Sequence, residues 1–386
     1  MRGGCVSGAR YKRRNTMSIR FIAATTMASV FALALAPVVC AQATYNSQQT
    51  IQTNLVSDLS NGINIDIKLR NPWGIARSST GAWWVADNTT GLATVYDGTT
   101  GAPNSLVVTI PPADPKVTSL GSPTGIVFNG GGGFNVAPGL SAKFLFATMD
   151  GTISGWNPAA NATKAIITVK EKGSYFTGLT MAQIGTAFYP PTYLYAADFA
   201  NDRIAVFDTN FQHVTQIEQR IASIQVPAGY VPFNIQNLGG NLYVALALKG
   251  GNNHEVFGNG LGIVAVISPD GNLIQTFQTG SFLNAPWGLA IAPSDFGAFS
   301  HDLLVSNVGN GTVAAFDPIT GKFKAYVRCD NNLPVVVLGI KAISVGSGTE
   351  LGGSATSLFF AAGPNKGLDG LFGNFAALSN PSGNDQ

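Results

Sequence analysis

Six imperfect copies of one three-strand motif, a near-constant period, and strands free of interior proline predict an all-β, six-bladed β-propeller. Each copy is a short apolar strand, a second strand ending in Asp or Asn, and a third ending in a turn. The first copy reads NPWGIA, WWVADN, TVYDG (71–98) and the second SPTGIVF, FLFATMD, TISGWNP (122–158). The third reads FTGLTMA, YLYAADF, IAVFDTN (176–210) and the fourth VPFNIQN, LYVALAL, GIVAVISPDG (231–271). The fifth reads APWGLAI, DLLVSNV, TVAAFDPITG (285–321) and the sixth LGIKAIS, SLFFAAG, GLFGNF (338–375).

Aligned on Trp73, Thr124, Thr177, Phe233, Trp287 and Lys341, the copies are spaced 51, 53, 56, 54 and 54 residues apart. That period suits one four-stranded blade with generous loops. The strands are rich in Val, Ile, Phe, Tyr and Ala, as half-buried sheet requires. Asp-Gly, Asn-Pro and Asp-Pro-x-x-Gly punctuate the hairpins, and helical periodicity is weak throughout. A ring must close. The strand-like stretch 51–59 (IQTNLVSDL) precedes the first copy and is expected to complete the last blade, which would remove an open sheet edge. The propeller is expected over 44–378, with a small, polar, frayed tail over 379–386.

The first 43 residues read as a secretory signal peptide. Residues 10–20 are basic, 21–39 are apolar and small, and Ala41-Gln42-Ala43 is an A-x-A cleavage pattern. Cleavage is expected after Ala43 and the start at Met1 or Met17. The destination is periplasmic or extracellular, with no transmembrane segment in the mature chain. Pro37 interrupts the apolar run before it could make a spanning helix of about 20 residues.

Removing the signal inverts the charge. Of 22 Lys+Arg, six (Arg2, Arg10, Lys12, Arg13, Arg14, Arg20) precede Ala43, and no acid does; 16 bases then face 20 acids, a net charge of −4. No basic surface remains to grip a phosphate backbone, which argues against nucleic-acid binding. Of the three cysteines, Cys5 and Cys40 would leave with the signal, so the mature chain is expected to hold Cys329 and no disulfide. A monomer is expected.

The segments NPWGIA, VADN and YDG, then PFNIQNLGGNLYV, then LNAPWGLAIAP, LLVSN and FDPITG resemble exported bacterial propellers related to NHL-repeat proteins. More closely, they resemble a bacterial family of such propellers, some of whose members carry a PEP-CTERM sorting tail. The resemblance covers nearly all of the mature chain. It implies a six-bladed fold and export, and no particular reaction. The chain has no PEP-CTERM tail, so the resemblance does not extend to envelope sorting. It also departs from the pattern at Lys341, where a third tryptophan is expected.

Alternating strands place the starts of the first strands and the turns between second and third strands on one face, around the channel mouth. Propeller ligands commonly bind there, by analogy of fold. Asn71, Trp73, Asn234, Asn284 and Trp287 fall at first-strand starts. Asp87, Asn88, Asp150, Asp198, Asp202, Asn307 and Asn310 fall at second turns, and the same register adds Lys249 and Asn365. Asp87, Asp150, Asp198 and Asn307 are the candidate metal ligands. Such an oxygen ring would suit calcium, which could polarise an ester or lactone. The alternative, favoured by neighbouring Gly and Asn, is that these side chains cap tight turns.

Trp73 and Trp287 would stack on a ligand at the mouth or wedge adjacent blades apart. Adjacent Trp83 and Trp84 point to opposite faces of their sheet, one between blades and the other a candidate exposed contact. The loop 249–261 (KGGNNHEVFGNGL) lies on the mouth face and offers Lys249, His254 and Glu255 for binding or acid–base work. The loop 129–141 is expected on the opposite face.

Several enzyme classes are excluded. His213, His254 and His301 make no zinc-hydrolase spacing. Gly151–Gly155 is not G-x-S-x-G, and Gly130–Gly133 lacks the lysine of a phosphate loop. The sequence therefore predicts a non-catalytic binding or scaffold module for a protein, glycan or small molecule, the alternative being a cation-dependent hydrolase or lactonase.

Overall fold

The computed structural model describes residues 49–378. The expected signal peptide, its cleavage site, residues 44–48 and the tail 379–386 lie outside the described residues.

Six small sheets form the ring. Blade 1 is Pro72–Ala76, Trp83–Asp87, Leu92–Tyr96 and Val108–Thr109. Blade 2 is Pro123–Phe128, Phe144–Thr148, Thr152–Trp156 and Ile166–Lys170. Blade 3 has three strands, Phe176–Gln183, Thr192–Asp198 and Arg203–Phe207. Blade 4 is Tyr230–Leu238, Asn241–Leu248, Ile263–Ile267 and Leu273–Thr276, and blade 5 is Pro286–Ile291, Leu303–Asn307, Val313–Phe316 and Phe323–Tyr326. Blade 6 is Ile340–Val345, Ser357–Ala362 and Leu371–Ala377, completed by Gln49–Ser57. That last strand runs antiparallel to Leu371–Ala377, from Thr50 opposite Ala377 to Ser57 opposite Leu371. The expected closure is therefore present.

The repeated glycine after the aligned position has a steric cause. Innermost strands of adjacent blades nearly touch. A Cβ on Gly125 would lie 2.4 Å from Leu179 N, and one on Gly288 would lie 2.2 Å from Lys341 O. Hydroxyls then tie neighbouring blades together at the inner strands. Thr124 Oγ1 donates to Phe176 O at 2.7 Å, and Ser306 Oγ to Lys341 O at 2.5 Å.

Larger side chains fill the gaps between blades. Trp83 packs on Phe359 and Phe372 of blade 6, with its Nε1 donating to Gly352 O. Trp84 stacks on Phe144 and touches Trp156 of blade 2. The two tryptophans thus point to opposite faces as expected, but both are buried and neither is an exposed contact. The loop after Phe128 forms a short hairpin (Asn135–Ala137, Leu140–Ser141). It joins first to second strand, so it lies on the face away from the mouth.

Two features depart from expectation. Blade 3 lacks a fourth strand, and helix Thr215–Ala222 packs along Arg203–Phe207 instead. Its Ile217 and Ile221, one turn apart, face the protein. Cys329, buried near the outer edge of blade 6, is disulfide-bonded in the full-length chain, whereas the expectation of no disulfide concerned the mature chain without Cys5 and Cys40. The other two cysteines of the chain lie outside the described residues. Among the described residues, no helix is long and apolar enough to cross a membrane.

Candidate functional site

The six aligned residues converge on the ring axis and seal it. Trp73 meets Trp287 edge-on, with ring centroids 6.0 Å apart and planes at 88°. Phe233 meets Trp73 in the same manner at 6.0 Å. Trp287 Nε1 reaches across the axis to Thr177 O at 3.0 Å. All six are buried. Trp73 and Trp287 are therefore neither ligand platforms at an open mouth nor wedges between neighbouring blades; they are the stopper. Inner strands converge at the centre of a ring, and bulky side chains at that level fill the only space there. Asn234, expected at the mouth, lies within the seal and donates to Trp287 O at 2.8 Å.

Lys341 is the cationic member of the seal, and its role was not legible from composition or spacing. Its Nζ lies 4.8 Å from the centroid of the Trp73 ring, where the ring quadrupole attracts a cation. The ammonium donates to Asn71 Oδ1 at 3.1 Å and Gly339 O at 3.4 Å. Burial pushes its pKa down to about 8, against a smaller opposing pull from the Glu255 carboxylate.

Above the seal, the mouth divides chemically. On the blade 6 and blade 1 side, Asn71 Nδ2 donates to Asn88 Oδ1 at 3.2 Å. Asn71 is at φ 46°, and Ala285, the residue before the equivalent proline of blade 5, is at φ 47°. Toward blades 2 and 3, Tyr175 Oη donates to Met149 Sδ at 3.0 Å. Burial and then the charge of Glu255 push the Tyr175 phenol up to about 12. Glu255 thus exerts its field on both Tyr175 and Lys341. Its backbone pairs with Lys249 in a short bridge, while His254 stands exposed in solvent. Lys249 Nζ donates to Ala200 O at 2.8 Å and to Asp202. It is off the ring because strand Asn241–Leu248 continues two residues past Leu246, the partner of Pro232.

The four candidate metal ligands do not converge. Asp87 is fully buried, and its Oδ2 accepts from Thr94 Oγ1 at 2.7 Å. Burial, reinforced by nearby Asp66, holds its pKa well above the usual carboxylate range. Asp198 accepts from Ser174 Oγ at 2.9 Å, Tyr175 N at 3.0 Å, Asn201 Nδ2 at 2.8 Å and Arg203 Nε at 3.1 Å. Asp150 Oδ2 accepts from Ala113 N at 2.5 Å. Asn307 accepts from Asn284 N at 2.9 Å and donates to Phe282 O and Thr312 Oγ1, each at 3.0 Å. Asp87, Asp198 and Asn307 bind groups of their own blade around the turn, and Asp150 fastens the loop that enters blade 2 through Ala113. Among the described residues, no group of three or more His, Cys, Asp or Glu is placed to hold a metal ion. Asn307→Ala is expected to cost about 1–2 kcal/mol, since it leaves buried backbone groups without partners. Urea denaturation measures this, and an unchanged midpoint would contradict the capping role.

Fold and site together define a six-bladed β-propeller with a side-chain seal across its axis. No protein-family model matches the chain. Uncharacterized protein L690 of Acanthamoeba polyphaga mimivirus is 31% identical over 259 residues, covering 65% of this chain and 67% of that protein. The chain belongs to the same family as that viral protein. Uncharacterized protein R648 of the same virus is 31% identical over 263 residues, and the match covers 65% of this chain and 62% of that protein, less than two thirds of its length. These relatives are viral, whereas the motif resemblance pointed to bacterial propellers. The soluble aldose sugar dehydrogenase of Escherichia coli, in its apo form, superposes with a TM-score of 0.51 at 12% identity, covering 86% of this chain and all of that one. At that identity the likeness is one of fold.

Proposed function

We propose that the chain is an exported, non-catalytic binding module that engages a partner on its mouth face. One observation carries the reading: the loops of that face hold large apolar side chains out in solvent. Ile67, Val117, Leu120, Phe257, Leu338 and Leu368 are all exposed, and each belongs to a loop that leads into a first strand or joins a second strand to a third. Exposed apolar side chains that share a face favour association; Phe188, Tyr189, Ile319 and Leu351 are exposed on the opposite face and form a separate set. The sealed axis and the capped turns beneath them supply a rigid floor. Export rests on the sequence of residues 1–43, and kinship with exported bacterial propellers rests on the PWG-type motifs.

The experiment takes the chain from Thr44 onward and measures bound metal, with melting curves in chelator and in calcium. No bound ion and superimposable curves are expected. One tightly held cation, with a melt lowered by chelator, would overturn the reading in favour of a cation-dependent hydrolase. Export has a separate check in the intact mass of the secreted protein. A mass that begins at Thr44 is expected, and one that retains Cys40 would refute cleavage after Ala43.

A further inference from the structure

Where blade 3 lacks its fourth strand, the wall of blade 4 is left partly uncovered. The result is a cleft of about 150 Å³ between strand Arg203–Phe207, helix Thr215–Ala222 and the blade 4 sheet. Its walls are aliphatic, formed by Ile204, Ile221, Ile224, Val244, Leu246 and Ala265. Asp202, Arg203, Tyr230 and Glu218 add polar groups to the lining, and of these Glu218 carries an acceptor without a partner. Its Oε1 is occupied, accepting from Val206 N at 2.8 Å and lying 2.7 Å from His213 Nδ1. Among the described residues, its Oε2 has no hydrogen-bond partner, and the side chain is only 16% exposed.

The cations nearby are already committed. Arg203 Nε binds Asp198 and its Nη2 binds Glu171, while Lys249 holds Asp202 at the rim. The cleft therefore offers a greasy interior, an acceptor-only oxygen with no donor, and no spare positive charge. A ligand that fits must donate and should be positively charged.

We propose that this cleft binds a small apolar amine, its ammonium on Glu218 Oε2 and its hydrocarbon body among the aliphatic walls. At about 30 Å³ per non-hydrogen atom the space suits a ligand of on the order of five such atoms, the size of a short-chain amine. A carboxylate would be repelled by Glu218, and a neutral alcohol would lose the charge-assisted bond. The inference is independent of any partner on the mouth face.

The test is titration calorimetry of the chain from Thr44 onward with 3-methylbutylamine, 3-methylbutan-1-ol and 3-methylbutanoate. The amine is expected to bind at least about tenfold more tightly than the alcohol, and the carboxylate not measurably. Glu218→Gln keeps an acceptor for Val206 N and is expected to bring the amine down to the level of the alcohol. Ala222→Phe, which fills the cleft from its rim, is expected to abolish binding of both. Should Glu218→Gln fail to fold, the wild-type comparison and Ala222→Phe decide the matter. No amine binding, equal binding of amine and alcohol, or an amine preference that survives Glu218→Gln would overturn the proposal.

Discussion

A chain lacking Gln49–Ser57 is expected to lose cooperative folding, whereas one beginning at Thr44 is expected to keep it. The strand is remote in sequence from the blade it completes, yet it pairs with Leu371–Ala377 along nearly its whole length. Its Leu55 and Val56 are buried in the same cluster as Trp73, Trp83 and Phe372. Burying two such side chains stabilises by about 3–6 kcal/mol. The net stability of a domain is only about 5–15 kcal/mol, so removing that contribution consumes much of the margin. The deletion also bares an unpaired edge on Leu371–Ala377, which invites association. Far-UV circular dichroism and gel filtration should show a broad, non-cooperative melt and aggregates. Adding the peptide QTIQTNLVS should restore part of the native signal. A sharp melt at the parental temperature, from a monomer, would show that the ring does not depend on this closure.

The blades were legible because each inner strand must satisfy the same steric demand. Gly125 and Gly288 are glycines because a neighbouring backbone occupies the position of a Cβ, and glycine recurs at the equivalent position in four of the six blades, Asn234 and Ala342 standing there in blades 4 and 6. The closing strand was legible because a ring permits no orphan edge. Side-chain direction was not. Asp87, Asp198 and Asn307 do fall at equivalent second turns, but nothing in the order of residues says whether such side chains turn inward to the channel or back onto their own turns. Lys249 was misplaced because strand Asn241–Leu248 runs two residues beyond its counterparts. Helix Thr215–Ala222 was missed because, over only eight residues, Ile217 and Ile221 make too short an apolar stripe to stand out. The amine cleft follows from that helix and was hidden with it. Lys341 stood out as a break in the pattern, yet its meeting with Trp73 depends on ring closure that brings the two ends of the sequence together.

Lys341→Met is expected to stabilise the protein at pH 7 by about 2 kcal/mol and to remove a rise in stability seen in the parent between about pH 8 and 10.5. The folded-state pKa lies near 8, against 10.5 for a solvated lysine. Between those values the unfolded chain holds more protons than the native one, so native stability increases with pH. Below pH 8 both states carry the ammonium and the full cost of burying it is present. A tenfold change in a proton-binding constant corresponds to about 1.4 kcal/mol, so the gross penalty is about 3 kcal/mol. Methionine matches the length of the lysine stem and needs no hydration. The variant gives up the bonds to Asn71 Oδ1 and Gly339 O, which offsets about 1 kcal/mol of the gain. Asn71 is only half-buried, so water can serve its freed oxygen. Urea titrations of parent and variant at pH 7, 9 and 10.5 measure both parts. The difference between them should be largest at pH 7 and shrink toward pH 10.5. A variant less stable than the parent at every pH would mean that the contact of the ammonium with Trp73 and Asn71 outweighs the cost of burying it.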